Sequence, residues 1–105
     1  MSGTIYEEVV DELVQHHARV GQTEYGGTVT PGFVVSGGPE GKARISHMTP
    51  PPDLLDPDRT SDDDLAAERH RMVDAYAATL TAAGWRVERR GPRSRHPYLL
   101  VGRGR

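Results

Sequence analysis

The 105 residues carry 13 basic and 15 acidic side chains for a net charge of −2, five histidines and no cysteine, and only 35% of them are apolar. A chain of this length buries only about two thirds of its unfolded surface, so one α+β domain over 1–105 is expected, with a core of Val, Leu, Ile and Ala and room for a homodimer to cover more apolar area. The lack of cysteine excludes disulfides and thiolate metal sites, and with no basic flank or apolar run near Met1 and no membrane-length apolar window, a cytoplasmic protein without a membrane partner is expected.

Thr4 and Glu7 have the spacing of a capping box, which predicts a helix from Ile5 to Val20. Ile5, Val9 and Leu13, with Tyr6, Val10 and His17, make one broad apolar face at three- and four-residue spacing. Glu7, Glu8, Asp11 and Glu12 crowd the first half, where they complement the helix dipole, and Gly21 is the expected stop. Residues 22–27 are polar and glycine-rich. Thr28 to Ser36 then reads as an extended segment of β-branched and aromatic residues, marked as an edge or bulged strand by Pro31 and Gly32.

Gly37 to Gly41 is dense turn chemistry. From Lys42 to Thr49, Ala43, Ile45 and His47 alternate with Arg44, Ser46 and Met48, completing a hairpin with one face to the core. Pro50, Pro51 and Pro52 can neither continue a ladder nor enter a helix, so 49–60 is expected to be a stiff proline-rich connection. Thr60 or Ser61 caps the second helix, with Asp62, Asp63 and Asp64 in its first turn. Leu65, Met72, Val73, Tyr76 and Leu80 form its buried stripe, Arg71, Asp74 and Ala78 face outward, and Gly84 ends it.

Trp85 to Arg89 and Tyr98 to Arg103 read as two strands joined by the loop 90–97. Either Leu99 with Val101 or Tyr98 with Leu100 points inward, and the register is open. The order is that of two successive αββ units, which predicts a mainly antiparallel four-stranded sheet with both helices packed on one face. The other face must meet solvent, a partner or a second copy.

Charge is unevenly placed. Residues 86–105 hold seven arginines against one acid, Glu88, for +6, while the other 85 residues carry −8. Such asymmetry creates two surfaces of opposite potential, which steer partners or pair with each other across a fold or dimer. A single lysine, Lys42, against twelve arginines reads first as GC-rich coding bias, so arginine abundance by itself says nothing about ligands.

The motifs that suggest chemistry fail in detail. Ser36 to Ala43 has glycines before a lysine, but a phosphate-binding loop needs Gly where Ser36 stands and Ser or Thr where Ala43 stands, and it must open a helix. A hairpin turn fits better. Asp56, Asp58 and Thr60 open like a calcium loop, yet the sixth position is Ser61 and the twelfth Ala67, which removes the liganding geometry. None of the histidines at 16, 17, 47, 70 and 96 shares a helix face at metal-ligand spacing, and His17 and His47 fit a hydrogen-bonded role in the core. No metal, cofactor or catalytic residue is assigned.

The leading reading is therefore a small non-enzymatic intracellular binding or regulatory protein that acts through protein–protein contacts. Arg89, Arg90, Arg93 and Arg95 would be its anion- or partner-seeking patch, and Asp62, Asp63 and Asp64 the acidic counterpart. The alternative is a nucleic-acid-binding protein that places the same arginines on phosphates. A third, weaker reading is a small enzyme with a pocket between sheet and helices, which would need a deep cavity lined by His17 or His47.

Overall fold

The computed structural model describes residues 5–22, 28–51 and 54–104. Helix α1 spans Ile5–Val14 and buries Val9 and Leu13. It stops a turn and a half before the Val20 that its apolar spacing predicts, and the cause lies elsewhere in the chain. His16 and His17 donate their backbone N–H groups to the Leu13 carbonyl, closing the helix, and 18–20 then run extended beside a later strand. There Phe33 donates to the Ala18 carbonyl and Val20 donates to the Phe33 carbonyl. Backbone groups that would have continued a short helix are satisfied on a sheet edge instead. Thr4, the expected cap, lies outside the described residues.

The extended segment expected over 28–36 is divided at Pro31, which has no N–H to give a ladder. Gly21–Gln22 (β1) and Thr28–Thr30 (β2) form a small antiparallel ribbon that the sequence does not announce. After Pro31, Gly32–Gly37 (β3) and Ala43–Met48 (β4) form the hairpin. Its turn carries Glu40 and Gly41 at φ of 57° and 76°, a left-handed pair that any larger residue at 41 would strain. Gly32 is needed for a different reason. A Cβ there would run into the backbone of Ala18, Arg19 and Val20, so the crossing of 18–20 over β3 depends on that hydrogen.

Helix α2 spans Asp62–Ala82 and is capped by Ser61, whose hydroxyl accepts the Asp64 N–H at 3.1 Å, with three aspartates in the first turn. Val73, Tyr76 and Leu80 are fully buried, while Leu65 and Met72 are half-buried. Gly84, at φ 92°, turns the chain into Arg86–Arg90 (β5), and Tyr98–Gly102 (β6) completes the sheet.

The sheet order is β3-β4-β6-β5, antiparallel throughout, with β4 and β6 central. Both helices pack on one face, α1 against β3 and β4, and α2 against β4, β5 and β6. The inward rows are Phe33 beside His47; Val35, Ile45, Leu99 and Arg89; and Ala43, Val101 and Val87. Leu99 and Val101 are thus the core-facing pair of β6. Among the described residues neither α-helix packs on the opposite face, and the turn at 38–41 reaches over it only at Leu100. No helix of the described residues is long and apolar enough to cross a membrane.

Candidate binding face

The register fixes what the open face presents. One row runs Val34, Ser46, Tyr98, Arg90, the next Ser36, Arg44, Leu100, Glu88, and Gly102 and Arg86 follow. At the centre, the Arg44 guanidinium carbon sits 4.0 Å above the Tyr98 ring centroid, a cation–π stack spanning the two middle strands. Arg44 and Arg86 have no carboxylate partner among the described residues, whereas Arg90 holds Glu88 at 3.1 Å. Met48, at the end of β4, is 42% exposed. Leu100 alone is hidden on this side, because the turn around Gly38 approaches its methyl groups.

Three of the four arginines are held by acids of this same chain. Arg89 and Arg90 project to opposite sides of β5, as successive strand residues do. Arg89 therefore lies on the helix side, in an ion pair with Asp74 of α2. Arg95 reaches Asp63 at 2.8 Å, which brings one predicted basic residue onto one predicted acidic residue inside a single chain. The loop is also tied to α2 through its backbone. Arg69 donates to the Arg95 carbonyl at 3.2 Å, and the His70 ring donates to the Ser94 carbonyl at 2.7 Å. Arg93 remains exposed without an ion pair among the described residues. Asp62 lies 4.0 Å from Arg59, and Asp64 is engaged through its backbone N–H by Ser61.

Both core histidines converge on Tyr76 rather than on each other. The His47 ring, 6% exposed, lies between the Tyr76 hydroxyl, 2.7 Å from Nδ1, and Glu68, whose Oε2 is 2.8 Å from Nε2. A carboxylate only accepts, so Nε2 carries the ring proton and, in the neutral imidazole, the Tyr76 hydroxyl donates to Nδ1. His17 hydrogen-bonds Thr79 at 2.7 Å and meets the Tyr76 ring edge-on, with centroids 4.9 Å apart. Burial pushes the Tyr76 phenol well above its ordinary value, and the charge of Glu68 adds to that push. Burial also holds the His17 imidazole below its ordinary value, with the neighbouring His16 a lesser cause.

These groups form a tie between β4 and α2. A hollow of about 290 Å³ reaches Glu68 from outside, walled by Pro31, Pro50, Thr60 and Leu65, but neither His17 nor His47 lines it. Both His47 nitrogens are engaged, and the described residues leave every buried polar side-chain atom with a partner. Among the described residues, no group of three His, Asp or Glu side chains is placed to hold a metal ion. Sequence reasoning missed Glu68, Arg44 and Tyr98. Glu68 had a signal, since it stands on the helical stripe of Leu65, Met72 and Tyr76, where an acid needs a buried partner.

No protein-family model, curated protein or solved structure matches this chain.

Proposed function

We propose that this is a small, non-enzymatic intracellular binding protein acting through protein–protein contacts, with the open face of its sheet as the docking surface and an acidic protein segment with apolar side chains as its target. The observation that carries the reading is the Arg44–Tyr98 stack, which sets an arginine without a carboxylate partner and a half-buried tyrosine at the middle of an uncovered face. Tyrosine, arginine and methionine are the residue types enriched in interface cores, where a few anchors supply most of the affinity. Tyr98, Arg44 and Met48 supply all three. A nucleic-acid reading is less favoured. Of the four arginines it would place on phosphates, Arg89, Arg90 and Arg95 already hold Asp74, Glu88 and Asp63.

The test is fluorescence anisotropy with a labelled peptide of alternating Leu and Asp and with labelled single- and double-stranded DNA and RNA, at low and physiological salt. The expected result is peptide binding that Arg44→Ala with Tyr98→Ala weakens by about tenfold or more. Tighter binding of nucleic acid, falling steeply with salt and lost when Arg89, Arg90, Arg93 and Arg95 are changed to Ala, would replace this reading with the other. Binding of neither probe would refute both.

A further inference from the structure

The chain itself contains a segment of the kind that the open face is proposed to take. Leu54 and Leu55, on the connection between β4 and α2, are 74% and 93% exposed. Single exposed apolar side chains are ordinary, whereas two neighbouring leucines standing this far into water form a small apolar patch that a partner can cover. Asp56 and Asp58 follow them, and Asp58 has no cation partner among the described residues. The face is basic where this segment is acidic.

Position agrees with charge. The connection leaves β4 just past Met48, at the end of the sheet where the row of Val34, Ser46, Tyr98 and Arg90 lies, and then passes to the helix side to begin α2. Its leucines are thus close to the open face in sequence and at the same end of the molecule, yet their exposure shows that they do not cover their own sheet. Resting on the reading of the face given above, we infer that the partner of that face is a second copy of this chain. The 54–58 segment of each copy lies across Met48, Tyr98 and Arg44 of the other. Because segment and face share one end of the sheet, a two-fold axis beside that end makes both contacts at once, which closes the assembly as a dimer instead of leaving an open chain.

Sedimentation velocity over micromolar to millimolar protein tests this. The wild type is expected to show a concentration-dependent dimer that weakens as salt rises. A segment variant, Leu54→Asp with Leu55→Asp, and a face variant, Arg44→Glu with Tyr98→Ala, are each expected to raise the dimer dissociation constant by about tenfold or more, with a retained far-ultraviolet spectrum and a cooperative urea transition as controls for folding. Mixed in equal amounts, the two variants should associate more tightly than either does alone, since the intact segment of one meets the intact face of the other. A wild type that stays monomeric at millimolar concentration, or a dimer that either variant leaves unaltered, overturns the inference. The peptide titration separates the two levels: a monomer that still binds the acidic peptide through Arg44 and Tyr98 keeps the face and loses the second copy, whereas failure in both assays removes both.

Discussion

Removing the Tyr76 hydroxyl isolates the energetics of the tie between sheet and helix. In Tyr76→Phe the ring remains, with its edge contacts to His17 at 4.9 Å and Phe33 at 6.0 Å, so no cavity opens. What changes is that His47 Nδ1, buried and 2.7 Å from that hydroxyl, loses its partner. A buried polar atom left unpaired costs about 1–3 kcal/mol, which in a domain of this size lowers the melting temperature by roughly 5–20 °C. His47→Leu strands the Tyr76 hydroxyl instead and should cost a similar amount, while Glu68, its side chain 30% exposed, turns to water. Replacing both partners with apolar groups removes the penalty as well as the bond. The double variant should therefore be more stable than the sum of the single losses requires, with a coupling of about 1–2 kcal/mol. Urea unfolding followed by the fluorescence of half-buried Trp85 reads all four proteins, with an unchanged slope as the control for two-state behaviour. A Tyr76→Phe protein within about 0.5 kcal/mol of wild type, or a double variant that loses the full sum, would refute the account.

Stability should depend on pH through His17 and Tyr76. The native state holds the His17 imidazole below its ordinary value of about 6.5, so the unfolded chain takes up the proton more readily; stability is complete above that pH and falls as acidity increases through it. Urea midpoints measured from about pH 7 to about pH 5 should slope less in His17→Gln than in wild type. The raised Tyr76 phenol acts at the other end, where stability is lost as pH rises beyond about 10, and Tyr76→Phe should remove that part of the alkaline loss. Ser61→Ala deletes the cap that accepts the Asp64 N–H and should cost about 1 kcal/mol in the same denaturation experiment. Gly32→Ala forces a methyl group into the backbone at 18–20 and should cost about 1–3 kcal/mol, with loss of hydrogen-exchange protection at the Phe33 and Val20 amides; normal protection there would contradict the close approach.

Elements whose causes are local were legible in the sequence. Alternation over 42–49 defined β4, and a cap at Thr60 or Ser61, the three aspartates and the Leu65, Met72, Val73, Tyr76, Leu80 spacing defined α2. Where the cause was distant, the reading failed. The early end of α1 is set by a strand edge at Phe33, and no property of residues 15–20 announces it. Tyr98, Leu99, Leu100 and Val101 are all apolar or aromatic, so pattern alone could not choose the inward pair; the turn at Gly38 makes Leu100 a covered residue on the outer side. The placement of the arginines was hidden for a related reason. Neighbours in a strand sequence lie on opposite faces, and a cluster along the chain became Arg89 on the helix side and Arg90 on the open side.

Strand β5 lies at the border of the sheet, and Arg86, Glu88, Arg89 and Arg90 give it four charged, exposed side chains in five residues. A border strand with unpaired backbone groups invites another chain to extend the ladder, the route by which sheet proteins grow into fibrils. Three arginines against one glutamate leave this border with net positive charge, which disfavours a neighbouring β5. At the opposite border the crossing of 18–20 occupies the Phe33 backbone groups. Both margins of the sheet thus carry an obstacle to ladder extension, and a concentrated solution of this protein should resist fibril growth.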